Sequence, residues 1–238
     1  MKKGSRVWII SLLFLASVLI NGAAQAETIG WTQWSSMSYG KPGQALGTIT
    51  LPGGAIIDVT YTGEIIQTID SGNWDVYPGT YSLPGVIENH PSPFDVSIQL
   101  IGGSDVFGQF TISQIDFSSP VLNPVLAVQS LGSSIDRAIY EFTSSEPFTI
   151  VVQGPGHWGG GYTSLSKNAT GNQLIGYEGN GVIQFTGTYS RITWIVRDEE
   201  NYHVFTVGAP LAAPEPTTIL LFGLGLVGLA GIRRKLFE

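Results

Sequence analysis

The chain has 238 residues, no cysteine, and 18 acidic against 11 basic side chains, for a net charge of −7. Without cysteine there can be neither disulfides nor thiolate metal sites, so a folded domain must rest on its core and its hydrogen-bonded sheets. The acidic balance argues against nucleic acid as a partner, because a negative surface repels a phosphate backbone.

Taken in chain order, Lys2, Lys3 and Arg6 form a positive start, Val7 to Ile20 is a fourteen-residue apolar run, and Ala24-Gln25-Ala26 has the small-x-small pattern of a signal peptidase site. Fourteen helical residues rise only about 21 Å, short of the roughly 30 Å hydrocarbon core of a bilayer. The pattern therefore predicts a signal peptide over residues 1–26, cleaved after Ala26, with a mature chain beginning at Glu27.

Residues 27–208 carry 16 acidic and 5 basic side chains and read as β throughout. A meander of three strands is expected over Leu46 to Leu51, Ala55 to Tyr61 and Glu64 to Ile69, turning at Pro52-Gly53-Gly54 and at Thr62-Gly63. Further strands are expected over Val96 to Ile101, Phe107 to Phe117, Val125 to Ser130, Ile135 to Phe142 and Phe148 to Gln153. The last are Leu174 to Tyr177, Val182 to Thr186, Ile192 to Val196 and His203 to Val207. Short strands at this spacing, with no long 3.6-period apolar face, predict an all-β chain whose ectodomain is one antiparallel, jelly-roll-like β-sandwich.

Few residues in this region point to chemistry. No serine lies in a G-x-S-x-G elbow, and His90, His157 and His203 show no paired metal spacing, so no catalytic residue is expected. Each His reads as a surface or hydrogen-bonded loop residue, and Asp198-Glu199-Glu200 as a solvated turn. A polysaccharide hydrolase with a carboxylate pair drawn from distant segments stays open as a remote alternative. Asp70, Asn73 and Asp75 offer hard oxygen ligands of the kind Ca²⁺ takes, but their spacing is not that of an EF-hand. An Asx-rich turn is the stronger reading of that stretch, and no other cofactor is expected.

Loop aromatics give the best sign of binding. Trp74, Tyr77 and Tyr81 fall in one turn-rich stretch, and Trp158 and Tyr162 in or beside the glycine-rich segment Gly154 to Gly161. Aromatics on loops of a rigid sandwich can stack on sugar rings, so Trp74, Tyr77, Trp158 and Tyr162 are candidate contacts for an extracellular polysaccharide. Burial of Trp158 beneath the loop is the competing reading. Trp31 and Trp34 are candidates to cap the core, and Trp194 reads as strand packing.

Residues 209–213 read as a short stiff linker. Pro214-Glu215-Pro216 is held extended by its two prolines. Thr217 to Ile232 follows as sixteen uncharged residues, a short membrane helix of about 24 Å, and Arg233-Arg234-Lys235 is a basic stop. Positive-inside logic places the basic stop in the cytoplasm and Pro214 outside, on the side to which a signal peptide delivers Glu27. Gly223-Leu-Gly225-Leu-Val-Gly228 matches a dinucleotide fingerprint by spacing alone, because no βαβ unit can follow it.

The ordered set of Pro-Glu-Pro, a Gly/Leu-rich helix and an Arg pair over residues 214–238 resembles the PEP-CTERM sorting signal. That resemblance implies an exported protein of a Gram-negative bacterium, often one that makes exopolysaccharide. It also implies an exosortase, an integral membrane protease, as the partner that reads the signal. Pro214, Glu215 and Pro216 would be the recognition motif and Arg233 and Arg234 the stop. The protein would sit transiently in the inner membrane before reaching the envelope, surface or matrix.

Overall fold

The computed structural model of the chain describes residues 27–69, 74–92, 95–143 and 147–211. The signal peptide expected over 1–26 and the sorting segment 214–238, including helix 217–232, lie outside the described residues. No helix among the described residues is long and apolar enough to cross a membrane.

The first strands are β1 (Thr28–Trp31), β2 (Gln33–Ser38), β3 (Gly40–Thr50), β4 (Ile56–Ile65) and β5 (Gln67–Ile69). A four-residue helix, α1 (Pro78–Tyr81), separates them from β6 (Ser97–Leu100), β7 (Ile112–Leu122), β8 (Val125–Leu131), β9 (Ala138–Phe142) and β10 (Phe148–Gln153). Then come β11 (Pro155–Gly156), β12 (Gly159–Gly160), β13 (Leu165–Lys167), β14 (Gln173–Gly176), β15 (Gly179–Phe185), β16 (Thr188–Val196) and β17 (His203–Leu211).

These strands form two large antiparallel sheets. One runs β10-β15-β8-β17-β6-β5, with β1 added beside β17; the other runs β13-β14-β9-β16-β7-β4-β3-β2. The pairing is nested: β6 with β17, β7 with β16, β8 with β15, β9 with β14. A long hairpin is thus folded over so that it feeds the two sheets alternately.

One core fills the space between the sheets. Tyr61 of β4 and Trp194 of β16 meet Phe205 of β17 at ring separations of 5.0 and 5.3 Å. Trp34, like Trp194, is buried in this core. A second apolar cluster lies outside the seven-stranded sheet, where Trp74, Tyr81 and Ile87 join Ile29 and Trp31 of β1 over Val125, Ala127, Val182 and Val204. Coverage of both faces explains why β8, Val-Leu-Ala-Val-Gln-Ser-Leu, is buried at every position and reads as continuous rather than alternating.

Several expected boundaries move. The chain does not turn at Thr62-Gly63; β4 runs straight through, and only then crosses to pair β5 with β6 in the other sheet. A Cβ at Gly63 would sit 2.9 Å from the Ser113 Cα, so this glycine marks a close approach of backbones and not a turn. The strand expected from Phe107 begins at Ile112, because Asp105 to Gly108 closes a hydrogen-bonded turn. The expected linker 209–213 is partly sheet, since β17 continues to Leu211, whose partner is Thr28.

That last pairing puts Thr28 and Leu211 side by side at one end of the domain, the base. His203, at the other end of β17 and roughly 27 Å away at strand rise, pairs with Leu100. The segments following β6, β8, β10, β14 and β16 gather at this second end, the tip.

Candidate functional site

The glycine-rich segment 154–161 folds as a minimal hairpin. Pro155 pairs with Gly160 and Gly156 with Gly159, leaving His157 and Trp158 as its two-residue turn. Two of its glycines are dictated by what lies beneath. A Cβ on Gly156 would come within 2.4 Å of the Asn180 side chain, and one on Gly160 within 2.2 Å of the Glu178 carbonyl; Gly160 also has φ +78°.

Asn180 is the buried post under the hairpin. Its Oδ1 accepts from the Ser130 amide at 2.9 Å and from the Tyr81 hydroxyl at 3.3 Å, while its Nδ2 donates to the Glu178 carbonyl at 2.6 Å. The Ser130 hydroxyl in turn donates to Glu178 Oε2 at 2.6 Å. Burial pushes the Tyr81 phenol well above its ordinary range, so it stays a neutral donor here.

On this support Trp158 stands half exposed, edge-on to Tyr202 at 4.7 Å and flanked by His157 at 4.9 Å. Tyr162, just beyond the hairpin, is exposed. The structure separates the four candidate polysaccharide contacts. Trp158 and Tyr162 share one surface loop. Tyr77 is half-buried in the segment over the second core. Trp74 is fully buried, edge-to-face with Tyr81 at 4.7 Å, and its Nε1 donates to Ser97 Oγ at 3.1 Å. Trp74 therefore cannot stack on a ligand: the outer face of the seven-stranded sheet is apolar and takes the indole as cover.

Of the calcium candidates, Asp70 and Asn73 lie outside the described residues, and Asp75 is exposed. No cluster of three or more potential metal ligands occurs among the described residues. His203 is not a surface residue. It is fully buried at the start of β17, with Nδ1 3.1 Å from Glu200 Oε2, which also accepts from the Gly132 amide at 2.7 Å. Glu200 is thus a structural acceptor, unlike the solvated turn expected of it.

Sequence reasoning missed the most exposed part of the tip. Three loops line a polar groove there: Gly103 and Ser104 from the first, Asp136 and Arg137 from the second, Arg197 to Glu199 from the third. The first two loops also raise Val106, Phe107 and Ile135 into solvent. The signal was available in Asp105 and Gly108, which bracket a turn, and in Ser133-Ser134, which begins another.

Pro214, Glu215, Pro216, Arg233 and Arg234, and the cleavage-site residues Ala24 and Ala26, lie outside the described residues; Glu27 is the first one described, its amide bonded to the Val86 carbonyl at 2.8 Å. No curated protein and no solved structure matches the chain. Residues 212–235, beginning one position past the last strand residue, match the PEP-CTERM protein-sorting motif, so the chain carries an exosortase-type sorting signal and is an exported protein bound for the cell envelope.

Proposed function

We propose that an exosortase-type membrane protease recognises Pro214-Glu215-Pro216 and processes the tail, passing a jelly-roll-type ectodomain from the inner membrane to the cell surface or matrix. In this reading the chain is the substrate of an enzyme and not an enzyme itself. Helix 217–232 holds it in the membrane beforehand, with Arg233 and Arg234 on the cytoplasmic side. The observation that carries the reading is the motif match at 212–235, starting one residue beyond the sheet. The pairing of Thr28 with Leu211 supports it further. An export leader and a sorting tail would both leave the domain at its base, with the tip held away from the membrane. The nested pairing of β6–β9 with β14–β17 supports the jelly-roll assignment.

The exported product decides the matter by intact mass and fractionation. The native chain should be recovered without its tail, whereas deletion of Pro214–Pro216 should leave unprocessed chain in the inner membrane. Identical products from both chains would overturn the proposal.

A second reading gives the ectodomain an extracellular polysaccharide or matrix partner, in place of a purely structural surface role. It now rests on Trp158 and Tyr162, the candidate aromatics that the hairpin leaves open to solvent. Retardation in polysaccharide gels that is lost in Trp158→Ala/Tyr162→Ala would support it. Equal retardation of native and variant chains would remove it.

A further inference from the structure

The tip carries three large apolar side chains at nearly full exposure: Val106 at 93%, Phe107 at 84% and Ile135 at 83%. None is there by slackness of its loop. The Asp105 amide donates to the Gln109 carbonyl at 2.8 Å, and Asp105 Oδ1 accepts from the Phe107 and Gln109 amides, each at 2.8 Å. Ser104 bridges Phe110 below this turn. The other turn is built the same way, with Ser133 Oγ accepting from the Asp136 amide at 2.8 Å and the Ser133 amide donating to the Asp136 carbonyl at 2.7 Å. Two hydrogen-bonded turns thus present aliphatic or phenyl groups that contribute little burial to this domain.

The two turns flank the groove described above, whose lining carries charges of both signs. Arg137 is more than half exposed and only loosely paired, 3.8 Å from Asp198; Asp136 and Glu199 supply negative charge beside it. Arg197 is committed to Glu141 through two contacts of 2.6 and 2.7 Å.

We propose that the tip docks on the surface of a lipid bilayer with zwitterionic headgroups. Val106, Phe107 and Ile135 enter the boundary between headgroups and acyl chains, as apolar residues of interfacial proteins do. Arg137 meets the lipid phosphate, and Asp136 and Glu199 meet the ammonium of the same headgroup. Trp158 and Tyr202, at the same end, suit the headgroup level, where amphipathic rings collect. A polysaccharide fits the three outermost residues poorly, since two of them are aliphatic and none can hydrogen-bond to a hydroxyl. A strongly anionic membrane fits poorly as well, because residues 27–208 hold 16 acidic against 5 basic side chains. The docked bilayer lies opposite the end from which the sorting tail leaves, so this contact is separate from the tail's own membrane.

The absence of cysteine permits a single-site test in the full chain. An environment-sensitive dye is attached at Val106→Cys, at Ile135→Cys, or at Leu122→Cys, an exposed position at the base of the domain. Phosphatidylcholine vesicles carrying an acyl-chain quencher are then added. The labels at 106 and 135 should shift to shorter wavelength and be quenched, and the label at 122 should do neither. Vesicle binding through the tail alone leaves both tip labels unchanged, and that result overturns the proposal. It also falls if all three labels respond alike, or if the tip labels respond to a soluble polysaccharide and not to vesicles.

Discussion

Glu64 offers the sharpest test of how the tip is held in place. Its carboxylate is buried at the end of β4, where Oε2 accepts from the Ile101 amide at 3.1 Å and the Gly102 amide at 2.6 Å. Oε1 pairs with Lys41 Nζ at 2.9 Å, and that ammonium also donates to the Gly102 carbonyl at 2.9 Å. One side chain thus ties β4 and β3 to the start of the loop that bears Val106 and Phe107. Glu64→Ala strands two backbone donors, at about 1–3 kcal/mol each, and leaves a cation without its partner. Lys41 is about one-third exposed and can turn to water, which keeps the total near the low end of a broken buried pair, about 3–5 kcal/mol. Glu64→Gln keeps an oxygen for the two amides and should cost about 1–2 kcal/mol. Urea unfolding followed by tryptophan fluorescence reads the difference. With a slope of about 2 kcal/mol per molar for a domain of this size, the Ala variant should unfold about 1.5 M earlier than the native chain. A midpoint within about 0.5 M of native, or a Gln variant that falls as far as the Ala variant, would refute the reasoning.

The two tryptophans that looked alike in sequence should behave differently. Trp74→Ala removes a fully buried indole and its bond to Ser97, for a loss of about 3–5 kcal/mol, while Trp158→Ala should cost under about 1 kcal/mol in the same urea assay. The Glu141 carboxyl is held below its ordinary value of 4.5 chiefly by its hydrogen bonds from Arg197. A depressed carboxyl stabilises the fold above its unfolded value and stops doing so as the pH falls through its folded one. Arg197→Met should therefore lose at most about 1 kcal/mol near neutrality, and the gap from the native chain should close as the pH drops below 4.5, as pH-dependent urea midpoints would record.

Much of the sheet structure was legible in the sequence, because β-branched and aromatic runs broken by Gly, Pro and Asn carry their own boundaries. Phe148 to Gln153 is a strand over the expected residues, and His203 opens the last strand as its pattern implied. The failures share a physical origin. Gly63 resembled a turn because a glycine needed for close backbone approach is indistinguishable, in one sequence, from one needed for a left-handed bend. Phe107 and Ile135 resemble strand residues because apolarity in a β-rich sequence ordinarily marks burial, whereas hydrogen-bonded turns hold both outside the domain. Trp74 resembled a surface aromatic because its neighbours are Asn73, Asp75 and Gly72. Its burial follows from a second core on the outer face of a sheet, and a local pattern carries no trace of that. Strand β1 has no local signature for the same reason, since Thr-Ile-Gly-Trp becomes a strand only beside β17.

The position of β17 governs when this domain can come into being. The last strand in the sequence lies at the middle of its sheet, with β8 on one side and β6 and β1 on the other. A polypeptide threaded outward from its amino end presents sixteen strands before the one that joins them. Until residues 203–211 emerge, the sheet is split in two and β1 has nothing to lie against. A chain passed outward in that direction would thus have its folding postponed until Leu211 had crossed.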